Sequence, residues 1–272
     1  MAAKSHQFRP GFTMIELLVI LGILVFVLGM LYPAIRQVQR AASRTQSINN
    51  LKELALGLHI CNDNHRKLPP VVGSFPGQDK KSGTLFFHLL PFIEQQTGPV
   101  HADVYQKADG DVTKNATYGV IIPTYLNHKD TSAPSGNRYK GWLATSSYAG
   151  NWMVFGNTDG GTARIPASFP DGTSNTIVFA ERYQTCNGNP CAWGYSSLYY
   201  WAPMFAYYSK GKFQNAPKQA DCNPALPQAI DRAGIQVALA DGSAQTVSEN
   251  ISSETWWNAT DPADGNPLGP DW

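Results

Sequence analysis

Hydrophobic and polar positions divide the chain into three regimes. Residues 12–32 are apolar almost without interruption, and Glu16 is the single charged side chain among them. As a helix rising about 1.5 Å per residue, that run covers about 30 Å, the thickness of the bilayer hydrocarbon. A basic leader (Lys4, His6, Arg9) meets it at Arg9-Pro10-Gly11-Phe12. A cut at this junction precedes the apolar run and leaves it attached, whereas a secretory signal carries a small-residue site at the far end of a shorter run.

Beyond Pro33 the pattern changes period. Ile35, Val38, Ala42, Thr45, Ile48, Leu51, Ala55 and Leu58 recur every three or four residues, predicting an amphipathic continuation whose stripe docks on a globular domain. Arg36, Arg40 and Arg44 form a second stripe, either a solvated face near lipid phosphates or an inter-subunit contact. The basic clusters flank the span on both sides, so charge alone leaves its orientation open. The segment from 59 to 65, with His59, Cys61, Asp63 and His65, offers metal-ligand types. Positions two apart do not share a helix face, so a fraying helix end is the better reading. Leu68-Pro69-Pro70 then stops the helix. The resulting division is a leader (1–11), a long helix (12–66, membrane-spanning to about 32) and a β-rich extracytoplasmic domain (67–272).

In the third regime, residues 84–94 predict a short buried helix interrupted at Pro91. Residues 118–126, 146–155 and 176–183 are rich in β-branched and aromatic side chains and predict strands. Residues 235–239 alternate, Asp241-Gly242 suits a type I′ turn, and 243–248 returns, the strongest hairpin signal in the chain. The Pro/Gly/Asp-rich tail from Asp261 predicts low order. The expected fold class is α+β: a long N-terminal helix packed on a β-rich, loop-rich domain.

Composition narrows the function. A formal charge of +1 with 15% charged residues leaves no electrostatic footprint for nucleic acid. Among 272 residues, 24 Gly, 19 Pro and 11% aromatics favour a turn-rich β domain over a helical one. The four cysteines (Cys61, Cys186, Cys191, Cys222) permit three pairings. Cys186–Cys191 is favoured because a turn-like hexapeptide brings its ends together; Cys61 and Cys222, if close, would make a second bridge.

Catalytic motifs are missing: there is no Gly-x-Ser-x-Gly elbow, no His-Glu-x-x-His and no P-loop. All six histidines fall within the first 128 residues. No enzyme activity, cofactor or metal site is therefore expected. Asp109-Gly110-Asp111 and Asn157-Thr158-Asp159-Gly160 read as acidic turns, with Ca²⁺ ligation as the alternative, because the twelve-residue ligand spacing is missing. The densest aromatic stretch, residues 193–208, offers Trp193, Tyr199 and Trp201 as a glycan-stacking platform or, alternatively, as core and subunit contacts.

Gly11, Phe12, Thr13, Glu16, Leu17 and Leu18 resemble the prepilin motif of type IV pilins and type II secretion pseudopilins. The resemblance implies cleavage by a prepilin peptidase between Gly11 and Phe12, methylation of the new amine, and assembly through Phe12 and Glu16. It also implies an N-terminus in the cytoplasm, a single pass through the inner membrane, and a domain in the periplasm or on the cell surface. Pro33 fits the kinked N-terminal helix of that family. A second resemblance covers most of the chain: Asn49-Asn50-Leu51-Lys52, His59, Leu68-Pro69-Pro70, Leu90-Pro91-Phe92-Ile93-Glu94-Gln95, Ser147-Tyr148-Ala149-Gly150-Asn151, Asp171-Gly172-Thr173-Ser174-Asn175-Thr176, Glu181 and Ala240-Asp241-Gly242-Ser243 are similar to the DUF1559 group of pilin-like proteins of planctomycete-type bacteria. Asp231 stands where many of that group carry a histidine, so no role for that histidine transfers. The two resemblances imply a structural pilin or pseudopilin subunit whose partners are the peptidase, copies of itself or other pilins, and the membrane. The alternative is a helix-anchored module that binds a solute or polysaccharide.

Overall fold

The structure, a computed structural model, describes residues 13–76, 82–93, 116–157, 159–195, 200–207 and 210–272. The chain divides into two compact units, Met1–Ala42 and Ser43–Trp272. Helix α1 (Met14–His65) begins in the first and continues into the second.

Within the second unit α1 buries Ser47, Leu51, Leu54, Ala55, Leu58 and Cys61, a spacing of three and four that puts them on one face. Of the predicted stripe, the part from Leu51 onward packs. Ile35 and Val38 remain exposed at 51% and 67%, so apolar periodicity there marks no docked face. Nor does the helix end fray. Asn62 exchanges hydrogen bonds with the backbone of Ile165 (3.0 and 3.3 Å), and Arg66 closes the helix in the left-handed region, its N–H donating to Asn62 O at 2.7 Å.

Hairpin β1 (Val72–Ser74) and β2 (Ser82–Thr84) leads into α2 (Leu85–Leu89), which Thr84 caps by accepting from Phe87 N. Pro91 follows in a 3-10 turn, as the sequence predicts. Residues 118–126 do not form the expected strand. Pro123 presets a 3-10 turn, Pro123–Tyr125, and the Tyr125 ring drops into the core, where its hydroxyl donates to Phe86 O at 2.6 Å. Two-stranded pairs follow: β3 (Arg138–Tyr139) with β4 (Leu143–Ala144), β7 (Thr185–Cys186) with β8 (Asn189–Pro190), and β10 (Gln214–Asn215) with β11 (Gln228–Ala229).

The central sheet runs β13-β12-β6-β5-β9, built from β5 (Tyr148–Asn151), β6 (Ile177–Glu181), β9 (Met204–Phe205), β12 (Ile235–Leu239) and β13 (Ala244–Val247). All its pairs are antiparallel except β5 with β9. Both faces are covered. Tyr148, Phe179 and Ala238 point into the cluster that holds α1 and α2. Ala149, Ile177, Ala180, Ile235 and Val237 point into a second cluster closed by Trp256 of α4 (Ser253–Asn258). Double coverage is why β6 reads as a continuous apolar run rather than an alternating one.

Three local expectations are corrected. The 146–155 segment is strand only as far as Asn151, whose side chain accepts from Met153 N and caps α3 (Trp152–Phe155). The β12–β13 loop is not type I′: Gly242 alone has positive φ (91°), and its N–H donates to Leu239 O at 3.1 Å. That is a type I turn with a following glycine bulge, which closes a three-residue loop. The tail is held rather than loose. Asp271 accepts from Ser252 N (2.6 Å) and Thr255 Oγ1 (2.5 Å), while Leu268 and Trp272 pack on the second cluster.

Candidate functional site

The first unit presents an apolar surface. Sixteen large apolar side chains between residues 14 and 32 are exposed, from Ile20 and Leu31 at 46% to Met14 at 85%. At 1.5–3 kcal/mol for each such side chain moved out of water, the run carries transfer free energy on the order of tens of kcal/mol. That exceeds the whole stability of an ordinary domain. Such a surface requires lipid or other apolar helices around it, and the helix is long and apolar enough to cross a membrane.

Its start is chemically specified. Thr13 is the N-cap: its N–H and hydroxyl both donate to Glu16 Oε2 at 2.9 Å, and Glu16 N–H donates back to Thr13 Oγ1 at 3.3 Å. This reciprocal box satisfies donors that the first turn otherwise leaves open. The sequence singles out Glu16 as the lone charge; the structure adds Thr13 as its partner. Gly11 and Phe12 lie outside the described residues. At the far end of the run, Arg36 stacks on Tyr32, its Cζ 4.5 Å from the ring centre, and donates to the Tyr32 hydroxyl.

Within the folded unit, the chemistry-bearing side chains are buried in polar clasps. Glu181, 2% exposed at the end of β6, accepts from Ser47 Oγ (2.5 Å), Asn127 Nδ2 (3.1 Å), Gln236 N (3.2 Å) and Ile230 N (3.4 Å). Burial outweighs these four donors and pushes its carboxyl up to about 7. Asp130 is raised for the same reason, against donation from Ser132, Gln184 and Ser147. Arg182 donates to the carbonyls of Ala202, Met204, Tyr200 and Pro224, fastening the strand β9 segment to β6. A Glu-Arg pair closing an apolar strand was the signal for this cluster, and sequence periodicity alone does not read it.

The structure redistributes the other candidate residues. Cys186 pairs with Cys222, Cα–Cα 5.6 Å, and not with Cys191. The hairpin register explains the correction: Cys186 faces Asn189, and Cys191 lies past the pair, its N–H donating to Gln184 O. Cys61 and Cys191 are free and buried, and burial pushes their thiols up to about 12 and about 11. Trp193 is a core side chain at 1% exposure, with Nε1 donating to Val120 O at 2.9 Å, so it cannot serve as a glycan platform. Trp201 is half-buried, and Tyr199 lies outside the described residues.

The turn-type candidates also separate. Asp159 Oδ1 accepts from the N–H and hydroxyl of Ser74, and residues 109–111 lie outside the described residues. Of the segment from 59 to 65, Cys61 and Asn62 turn inward, while His65 packs edge-on to Phe75 and Phe92. Among the described residues no group of three or more His, Cys, Asp or Glu is gathered as a metal would need. Asp231 caps its own turn, accepting from Ala233 N at 2.9 Å.

The architecture therefore defines a class: an α+β protein in which a span-length apolar helix leads into a β-rich domain with a doubly covered sheet. The chain belongs to the family described as protein of unknown function (DUF1559), whose model matches residues 36–254. No curated protein and no solved structure shows a significant match to it.

Proposed function

We propose that this chain is a structural, pilin-like subunit, cleaved between Gly11 and Phe12 by a prepilin peptidase and assembled through its N-terminal helix into a pilus or secretion pseudopilus. The observation that supports the reading is the continuous exposed apolar surface of residues 14–32 interrupted only by Glu16. Beyond capping its own first turn with Thr13, a carboxylate in hydrocarbon costs a few kcal/mol and usually marks function. In an assembly, a neighbour's N-terminal amine at Phe12 would offset the desolvation of Glu16 and reward one axial register. Cleavage would have to come first, because only the cut creates that amine.

The test is Glu16→Ala. The variant is expected to insert, be processed and fold, yet form no filaments by electron microscopy. Assembly at the wild-type level, or an unprocessed N-terminus in assembled material, would overturn the proposal and favour the anchored binding module instead.

A further inference from the structure

The aromatic surface that the sequence sought in residues 193–201 is present in another form, around the β3–β4 hairpin. Tyr139 of β3 meets Trp201 edge-on (5.7 Å between ring centres), and Trp201 meets Tyr195 (5.3 Å). In the β3–β4 loop Trp142, 44% exposed, meets Tyr118 edge-on at 5.3 Å. The two ring clusters share one backbone platform. Arg138 Nε donates to Gly119 O at 2.7 Å, and Tyr139 Oη donates to Gly188 O at 2.8 Å. A side chain at Gly119 would meet Trp142 O at 2.9 Å, and one at Gly194 would touch the Tyr118 backbone at 3.4 Å. The rings are thus held in place while each keeps part of its area in solvent.

Charge selects the ligand. The exposed Lys140 follows β3 at the hairpin tip, with its Nζ 5.5 Å from the Tyr139 ring centre. The segments that build the surface, residues 116–122, 135–145, 187–195 and 200–202, carry Arg138 and Lys140 and contain no Asp or Glu. Immobilised, half-exposed rings suit the apolar faces of pyranose rings, because they bury a large area at little entropic cost. The exposed Lys140 and the half-buried Arg138 suit carboxylates on the same polymer.

We propose that the β3–β4 hairpin and its flanking rings bind an acidic polysaccharide of the polyuronate type. This goes beyond filament assembly and does not depend on it. The full-length chain in detergent micelles, titrated with polygalacturonate, is expected to bind in a salt-sensitive manner. Trp142→Ala should weaken that binding at least tenfold and Lys140→Gln several-fold, with far-UV circular dichroism and cooperative thermal unfolding retained; Glu16→Ala should bind as the wild-type chain does. Absence of binding by the wild-type chain, or full affinity in both surface variants, overturns the proposal. Equal affinity for polyglutamate, which has charge without sugar rings, or for neutral dextran, also overturns it. So does a change of oligomeric state in Trp142→Ala with polygalacturonate binding intact, which would assign the surface to a second copy of the chain.

Discussion

Ser47 of α1 donates a 2.5 Å hydrogen bond to Glu181 at the end of β6, across 134 residues of sequence. Ser47 Oγ also accepts from Tyr148 Oη at 3.2 Å, and Tyr148 Oη accepts from Asn50 Nδ2, so helix and sheet are joined by one polar chain inside an apolar interface. Removing the carboxylate strands four donors at once. Glu181→Ala is expected to destabilise the domain by about 3–5 kcal/mol, through unsatisfied buried groups rather than lost contact area. Thermal unfolding at pH 6 measures it.

The same group sets a pH dependence whose sign follows from its raised value. Unfolded, Glu181 releases its proton near 4.5; folded, it holds it to about 7. Between those values the native state binds more protons, so stability is full below about 4.5 and falls as pH rises to about 7. The loss is about 3 kcal/mol. Asp130, also raised by burial, adds a fall of the same sign. Melting temperatures from pH 5 to pH 8 should decline, and Glu181→Gln should flatten the decline. A wild-type profile that rises over this range would contradict the assignment.

The Cys186–Cys222 bridge closes a loop across a sequence separation of 36, for which chain entropy gives about 3–4 kcal/mol of stabilisation. Cys222→Ala should lower the melting temperature as reductant lowers that of the wild-type chain, while Cys191→Ala should leave a reductant-sensitive transition. Peptide mapping of the unreduced chain should recover a crosslink between peptides containing 186 and 222.

Tryptophans that look alike in sequence should behave oppositely on truncation. Trp193→Ala empties a buried site and breaks the bond to Val120 O, an expected cost of about 3–5 kcal/mol. Trp142→Ala, half in solvent, should cost less than about 1 kcal/mol. Urea unfolding of the two variants side by side separates core from surface.

At the helix start, Thr13→Val keeps the shape and removes the hydroxyl that both accepts from and donates to Glu16. Loss of such a cap costs about 1 kcal/mol. Faster amide hydrogen exchange confined to residues 14–17, in micelles, is the expected readout.

Local pattern was sufficient wherever a physical requirement is one-dimensional. A run of apolar residues long enough for a bilayer, a charge inside it, a proline stop after Leu68, the β-branched and aromatic run 176–183, and an alternating segment followed by Asp241-Gly242 each state their structure within a few residues, and the long helix, β6 and the final hairpin follow from them. The same reasoning stops where partners are distant. Cys186 had a neighbour five residues away in Cys191, yet hairpin register turned it toward Cys222. Residues 118–126 have strand composition, yet the space for Tyr125 beside Phe86 made them 3-10 turns. Trp193 and Trp201 share one aromatic run, but only the packing of α2 and residue 120 around the first decided that it is core. Glu181 shows the reason most directly. A carboxylate is tolerated in an apolar sheet only because Ser47, Asn127, Ile230 and Gln236 converge on it from four separate segments, and convergence is a property of the folded chain, not of any stretch of it.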